Sequence, residues 1–356
     1  MTLVDAYGPA NARASSGDES RIIRCGYGPD AIYSQWARQS LAAWRAIFAR
    51  IGTGQAPLFH ECGVLWLAAG DDPYTKATIE TLQQQRHPVE LLDRDSLRAR
   101  FPHIDARDIG VGLFEADCGV LMARRAVQAL VADLATRGVP VLRARVVPVE
   151  RDRELPRVQT ESGREVDGDA FVFACGPWLP KVFPGLLTGR IRPTRQVVVY
   201  FGVPPGEDRF GPAQTPAWVD FPAGIYGVPD LEARGVKVGI DAHGPPFDPD
   251  RGERVADEAS IATARTWLAR RMPAMADAPV SESRVCQYEN TATGDFLIDR
   301  HPALENVWIA GGGSGHGFKH APAVGEHVAA LVRGTAEPEP RFALAGKGTE
   351  PQRKVF

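Results

Sequence analysis

Val307-Trp-Ile-Ala-Gly-Gly-Gly-Ser-Gly-His-Gly-Phe-Lys319 is followed by Pro322 and by Val324, Val328, Leu331 and Val332 at helical spacing. The stretch reads as a buried strand, a glycine-rich turn and the start of a helix. Val307 to Ala310 is a compact apolar run, the pattern of a strand covered on both faces. The glycines at 311, 312, 313, 315 and 317 let the backbone turn sharply and approach something flat or anionic. Pro322 suits a first helical turn. A helix begun there points its N–H groups and the positive end of its dipole at whatever the loop holds.

A dinucleotide fingerprint fails on spacing, because His316 and Phe318 stand where G-x-G-x-x-G requires glycine. Glu337, about twenty residues on, lies in a proline-rich segment and not at a strand end. A Walker loop fails because Lys319 neither follows Gly nor precedes Ser or Thr. By the residues alone, the loop is either a ligand cradle or a bare strand-to-helix connection.

Working outward, 356 residues suffice for about two domains. A formal charge of -3, with 44% hydrophobic and 24% charged residues, describes an ordinary globular enzyme and gives no footing for nucleic-acid or membrane-surface binding. No apolar run approaches about 18 residues, and no basic-then-apolar leader opens the chain. The five cysteines, 25, 62, 118, 175 and 286, are scattered without C-x-x-C. They predict reduced thiols in a cytoplasm, with neither a disulfide framework nor a zinc site.

Thr2-Leu-Val-Asp5 reads as a strand ending in an acid. In a nucleotide-binding βαβ unit the second strand ends so, with its glycine fingerprint about twenty residues earlier. Only four residues precede Asp5, so Leu3-Val4 is either that second strand without its predecessor or a first edge strand. Arg21 and Arg24 share a face if the segment is helical. Helices are expected over 32–51, 75–85, 95–100 (capped by Asp95), 123–137 and 257–271. A strand pair is expected over 59–68, single strands over 139–149, 171–174, 195–201 and 236–240, and further strands within 218–228.

Three blocks together carry a resemblance. Gly313-Ser-Gly-His-Gly-Phe-Lys319 resembles the C-terminal flavin-binding signature of amine-oxidising flavoenzymes related to monomeric sarcosine oxidase and N-methyltryptophan oxidase, in the D-amino-acid oxidase superfamily. Arg284-Val-Cys-Gln-Tyr-Glu-Asn-Thr-Ala-Thr-Gly-Asp-Phe-Leu-Ile-Asp-Arg-His-Pro302 resembles the segment bearing the covalent flavin cysteine. Gly17-Asp-Glu-Ser-Arg-Ile-Ile-Arg24 resembles the arginine-bearing active-site segment. The blocks stand in the family's order, and the resemblance spans about residues 2–335.

The resemblance implies an α/β protein: an FAD-binding Rossmann-like domain, N-terminally incomplete, with an antiparallel-sheet substrate domain. It assigns 1–60, 120–190 and 286–335 to the first and 61–119 and 191–285 to the second. Residues 336–356 read as a poorly ordered tail, ending Lys354-Val-Phe356, which is no peroxisomal address. It further implies FAD as cofactor, covalent through Cys286, because no side chain accepts a hydride. Cofactor contacts fall to Asp5, Ser16, Ser20, Val147, Gly313, Gly315, His316, Gly317, Phe318 and Lys319. Arg24 and Lys319 would grip a substrate carboxylate. Arg21 would order the site, Lys237 would assist oxygen reduction, and Tyr226 and Tyr288 would line the pocket. Where the family pattern runs to histidine, this chain has Asp241, which would face a cationic group of the substrate. The expected reaction is oxidation of a secondary or N-methylated amino acid to an imine, with oxygen reduced to hydrogen peroxide, by a cytoplasmic monomer or weak homodimer. A same-fold dehydrogenase using another acceptor, or a non-catalytic remnant, would leave the same fold.

Overall fold

In the computed structural model, which describes residues 1–52, 56–149 and 153–352, the glycine-rich stretch sits at a junction of sheets. Strand Val307–Gly311 pairs in parallel with Phe171–Phe173 and antiparallel with Leu297–Arg300. The chain then turns through a 3-10 segment, Phe318–His320, into helix Ala321–Val332, with Pro322 in its first turn. This helix packs on the long helix Ala31–Ile51, where the Trp44 ring stacks on Phe318 at 5.6 Å. The Trp44 indole also donates to the Lys319 carbonyl at 3.0 Å. The N-terminal strand Leu3–Asp5 runs parallel to Val141–Arg143.

The largest sheet has eight strands, in the order Val280–Asn290, Arg192–Phe201, Val236–Ile240, Ile225–Val228, Ala217–Asp220, Val64–Ala68, Val111–Glu115 and Glu90–Leu92. All neighbours are antiparallel except Ala217–Asp220 with Val64–Ala68. Helix Glu258–Arg271 covers one face through Ala264 and Leu268. Strand Val64–Ala68 is buried on both sides. Val64, Trp66 and Ala68 face one core and Leu65 and Leu67 the other, which is why its sequence is continuously apolar instead of alternating. A small sheet of Arg21–Ile23, Gly119–Leu121 and Phe59–His60 lies beside it.

Four expectations need correction. Phe59–His60 and Val64–Ala68 do not pair with each other, because Gly63, at φ 77°, turns the chain between two sheets. The short helix Arg94–Arg100 is capped by Asp93, whose carboxylate accepts from the Ser96 amide at 2.8 Å, and not by Asp95. The strand over 139–149 is regular only at Val141–Arg143; beyond it the Ala144 amide turns to the Asp5 carbonyl.

Fourth, the segment after residue 335 is packed. Phe342 is fully buried against Tyr33, Trp36 and Phe296. Arg341 pairs with Asp30 and Asp295, each at 2.6 Å. The composition is that of a solvated tail, but one aromatic and one arginine dock it. Lys354-Val-Phe356 lies outside the described residues. Phe342→Ala should therefore destabilise the protein by about 3–5 kcal/mol in urea unfolding. A solvated tail would give less than about 0.5 kcal/mol.

Candidate active site

A cavity of about 100 Å³ opens where the Gly17–Arg24 segment, the large sheet and the glycine-rich loop meet. Arg21, Lys237, Tyr226 and Tyr288 line it, as do Arg24, Lys319 and Asp241. Ser20, Cys286, Gly315, His316 and Phe318 complete much of the wall, and Val219, Phe221 and Val228 make it apolar on one side. Gly313 and Gly317 belong to the loop behind that wall. Asp5, Ser16 and Val147 are not among the lining residues. Asp5 ends its strand and accepts the Tyr7 and Gly8 amides at 2.8 and 2.7 Å. The Val147 amide donates to the Gln159 carbonyl, and Ser16 sits half-buried in a turn. Arg21 and Arg24 reach the cavity from an extended segment, strand Arg21–Ile23 and the residue after it, and not from a helical turn.

The residue that sequence reasoning missed is Asp18. It is buried, and its carboxylate takes the Lys237 ammonium at 2.5 Å, the Arg21 guanidinium at 2.8 Å and the Tyr200 hydroxyl at 3.0 Å. Burial pushes this carboxyl up, but Lys237 and Arg21 outweigh it and hold it well below the usual carboxylate range. Burial, with Arg21 alongside, draws Lys237 below the ordinary lysine range, and Asp18 limits the fall. Lys237 also donates to the Ser20 carbonyl at 3.0 Å. Asp18 stands in the quoted N-terminal block, but Asp-Glu after a glycine has the look of a solvated loop, so nothing in the pattern separated it from Glu19.

Elsewhere on the lining, Arg24 is sandwiched between the Tyr27 and Trp66 rings at 4.5 and 4.4 Å and donates to the Gly26 carbonyl. Lys319 donates to the Tyr27 hydroxyl at 2.8 Å, and His320 meets the same oxygen at 2.9 Å. Burial, then Arg24, hold Lys319 well below the lysine range. Asp241 accepts from the Tyr288 hydroxyl at 3.0 Å, and burial raises its carboxyl. Burial holds His316 neutral; its ring stacks on Phe296 and meets the Gly294 carbonyl at 3.1 Å. Two cations and a carboxylate thus share one part of a small, partly apolar chamber.

The glycine loop forms a tight wall beside it. A Cβ on Gly315, at φ 85°, would come within 2.6 Å of the Tyr288 ring. Gly317 faces Gly313 so closely that its added Cβ would lie 3.1 Å from the Gly313 Cα. Along strand Val280–Asn290 the Cys286 sulfur lies 3.5 Å from the Ser15 carbonyl and from an Arg21 nitrogen. Buried acceptors without partners, Gln287 Oε1 and Glu289 Oε2, follow on that strand, and the Ser15 hydroxyl is unpartnered opposite. Burial pushes Glu289 up to about 7. Unpartnered hydrogen-bonding groups beside this glycine-rich loop fit a polar-edged cofactor such as FAD.

Residues 1–331 match the family described as FAD dependent oxidoreductase. The chain is 31% identical over 341 residues to monomeric sarcosine oxidase of Bacillus sp. (strain B-0618), covering 93% of this chain and 85% of that protein. It is 30% identical over 352 residues to N-methyl-L-tryptophan oxidase of Salmonella arizonae, covering 97% and 90%. Among solved structures, a modified fructosyl peptide oxidase from Aspergillus nidulans superposes with a TM-score of 0.84 at 22% identity, covering 99% of this chain and 90% of that one. The mixed α/β architecture with its large sheet matches the fold of that structure.

Asp18→Asn would leave the buried Lys237 and the half-buried Arg21 without their counter-ion, at a cost of about 3–5 kcal/mol in urea unfolding. The sign with pH follows from its depressed carboxyl. The stabilisation is full above the unfolded carboxylate value and fades as pH falls through the folded one. Acid titration of stability below about pH 4 should therefore be shallower in the variant.

Proposed function

The chain belongs to the FAD dependent oxidoreductase family, and from that premise we propose that it oxidises the C–N bond of a small secondary or N-methylated amino acid to an imine, with oxygen reduced to hydrogen peroxide. FAD, when bound, accepts the hydride from the substrate carbon and passes both electrons on. The observation that carries the reading is that Arg24 and Lys319, which both meet Tyr27, line the same chamber as Lys237.

Arg24, locked between two rings, presents a planar fork to a carboxylate, and Lys319 adds a second cation. Asp241 faces the substrate ammonium. Its raised carboxyl suits it to take that proton, which must leave before nitrogen can push out a hydride. Tyr288 orients Asp241, Tyr226 closes the wall, and Phe221 and Val219 exclude water. Lys237, backed by Asp18 and Arg21, keeps positive charge where oxygen gains electrons. Gly313, Gly315, His316, Gly317, Phe318 and Ser20 would hold the ring, with Asp5, Ser16 and Val147 toward the adenosine and Cys286 as the covalent anchor. In this reading residues 61–119 and 191–285 form the substrate domain and the remainder of 1–335 the cofactor domain. None of the described helices is long and apolar enough to cross a membrane, and the proposed setting is the cytoplasm, as a monomer or weak homodimer.

A panel of N-methylated and cyclic amino acids, assayed for hydrogen peroxide, tests the activity. At least one should turn over, and Arg24→Lys should raise its KM roughly tenfold or more, from loss of about 1.5–3 kcal/mol of charged hydrogen bonding. Amines lacking the carboxylate should show no such difference between the two proteins. Flavin reduction without peroxide would replace oxygen by another acceptor.

Acid precipitation tests the anchor. Yellow colour should stay with the pellet, and in Cys286→Ala it should pass to the supernatant. Colour released from the unaltered protein rules out the covalent link.

A further inference from the structure

Cys25 and Cys118 lie 93 residues apart in sequence, yet their sulfurs are 3.9 Å apart. His87 and Glu115 join them, and the four donor atoms all lie within 4.8 Å of one another, every residue buried. Two thiols that look scattered in the sequence meet here: the pairing of strand Arg21–Ile23 with Gly119–Leu121 brings the two cysteines together, which no local spacing reveals. We propose that this cluster is a structural Zn²⁺ site, with Cys25, His87, Glu115 and Cys118 as its ligands.

The geometry suits a closed tetrahedral site. Zinc bonds of about 2.3 Å to sulfur and about 2.0–2.1 Å to nitrogen or oxygen imply edges of about 3.8 Å between sulfurs, about 3.6 Å from sulfur to oxygen and about 3.3 Å from nitrogen to oxygen. The corresponding distances are 3.9 Å between the sulfurs, 3.4 Å from Cys118 Sγ to Glu115 Oε2, and 3.1 Å from His87 Nε2 to the same oxygen. Two thiolates, an imidazole and a carboxylate are a borderline-soft donor set that favours zinc over magnesium or calcium. Binding displaces the remaining thiol and imidazolium protons to solvent.

Supporting contacts are in place. The Cys25 amide donates to Glu115 Oε2 at 2.7 Å, and the Trp66 indole to Oε1 at 2.9 Å. These fix the carboxylate and leave Oε2 turned to the sulfurs. Two thiolates and one carboxylate around Zn²⁺ carry a net charge of about -1. Arg24, the neighbour of Cys25 and stacked on Trp66, stands beside that charge. The ion would clamp the end of strand Arg21–Ile23 to the turn before Gly119 and so steady the segment that bears Arg24.

The test is metal analysis of the flavin-loaded protein, purified without chelator or an affinity metal. About one zinc per chain is expected, lost from Cys118→Ser and from His87→Ala. As a control against misfolding of those variants, the unaltered protein is also stripped with chelator and given Co²⁺ alone. Tetrahedral cobalt–thiolate bands at wavelengths beyond the flavin's should appear and saturate at one equivalent. Thiol titration in denaturant decides the alternative. With five cysteines in the chain, four reactive thiols (five where Cys286 carries no flavin) with neither zinc nor a cobalt spectrum would overturn the site and leave a hydrogen-bonded cluster. Two thiols (three where Cys286 carries no flavin) would overturn it in favour of a Cys25–Cys118 disulfide. None of these readouts depends on the substrate or on peroxide, so the zinc site and the oxidase reading stand or fall separately.

Discussion

One buried carboxylate organises the chamber. Asp18 is the counter-ion of both Lys237 and Arg21, and Tyr200 donates to its second oxygen. A lysine with 1% of its surface exposed is costly in an apolar sheet unless paired. With Asp18 in place, the N-terminal loop, strand Arg192–Phe201 and strand Val236–Ile240 are tied at a single point. The rest of the site is measured from that point: Cys286 lies within reach of Arg21, and the apolar wall runs on from Lys237 toward Arg24.

The lining around Arg24 is built on a different principle. There Arg24 and Lys319 crowd together with aromatic groups and the Asp241 carboxylate. Arg24 rests between two ring faces, and Lys319 leans on the Tyr27 hydroxyl. Asp241, buried and held by the Tyr288 hydroxyl, moderates the charge. The glycine loop is the third component. Its wall is close to Tyr288 because no side chain intervenes, so the same absence of Cβ that lets the chain turn also sets the chamber's width.

Local pattern and tertiary structure divided the information unevenly. The helices Ala31–Ile51 and Ala123–Thr136 and the strand Val307–Gly311 were legible because apolar periodicity and burial coincide in them. Lys237 and Lys319 stood out as a lysine in a strand and a cation at a helix start, whereas Cys286 stood out only through the block that resembles the flavin-bearing segment. Asp18 was invisible because an acid on a loop is ordinary until something buries it. The segment after residue 335 misled for the converse reason, since composition averages over the one phenylalanine that docks it.

By itself, the sequence determined the strand–glycine turn–helix unit, the two arginines of the N-terminal block and the class of chemistry that three separate blocks imply. These are local properties, written in neighbouring residues. Only the tertiary structure decided which groups meet. Asp18 reaches Lys237 across 219 positions, Tyr27 meets Lys319 across 292, and Cys25 faces Cys118 across 93. Pairings at that separation depend on sheet register and on burial, which set both the distances and the charges. Neither is encoded in any single stretch of the chain.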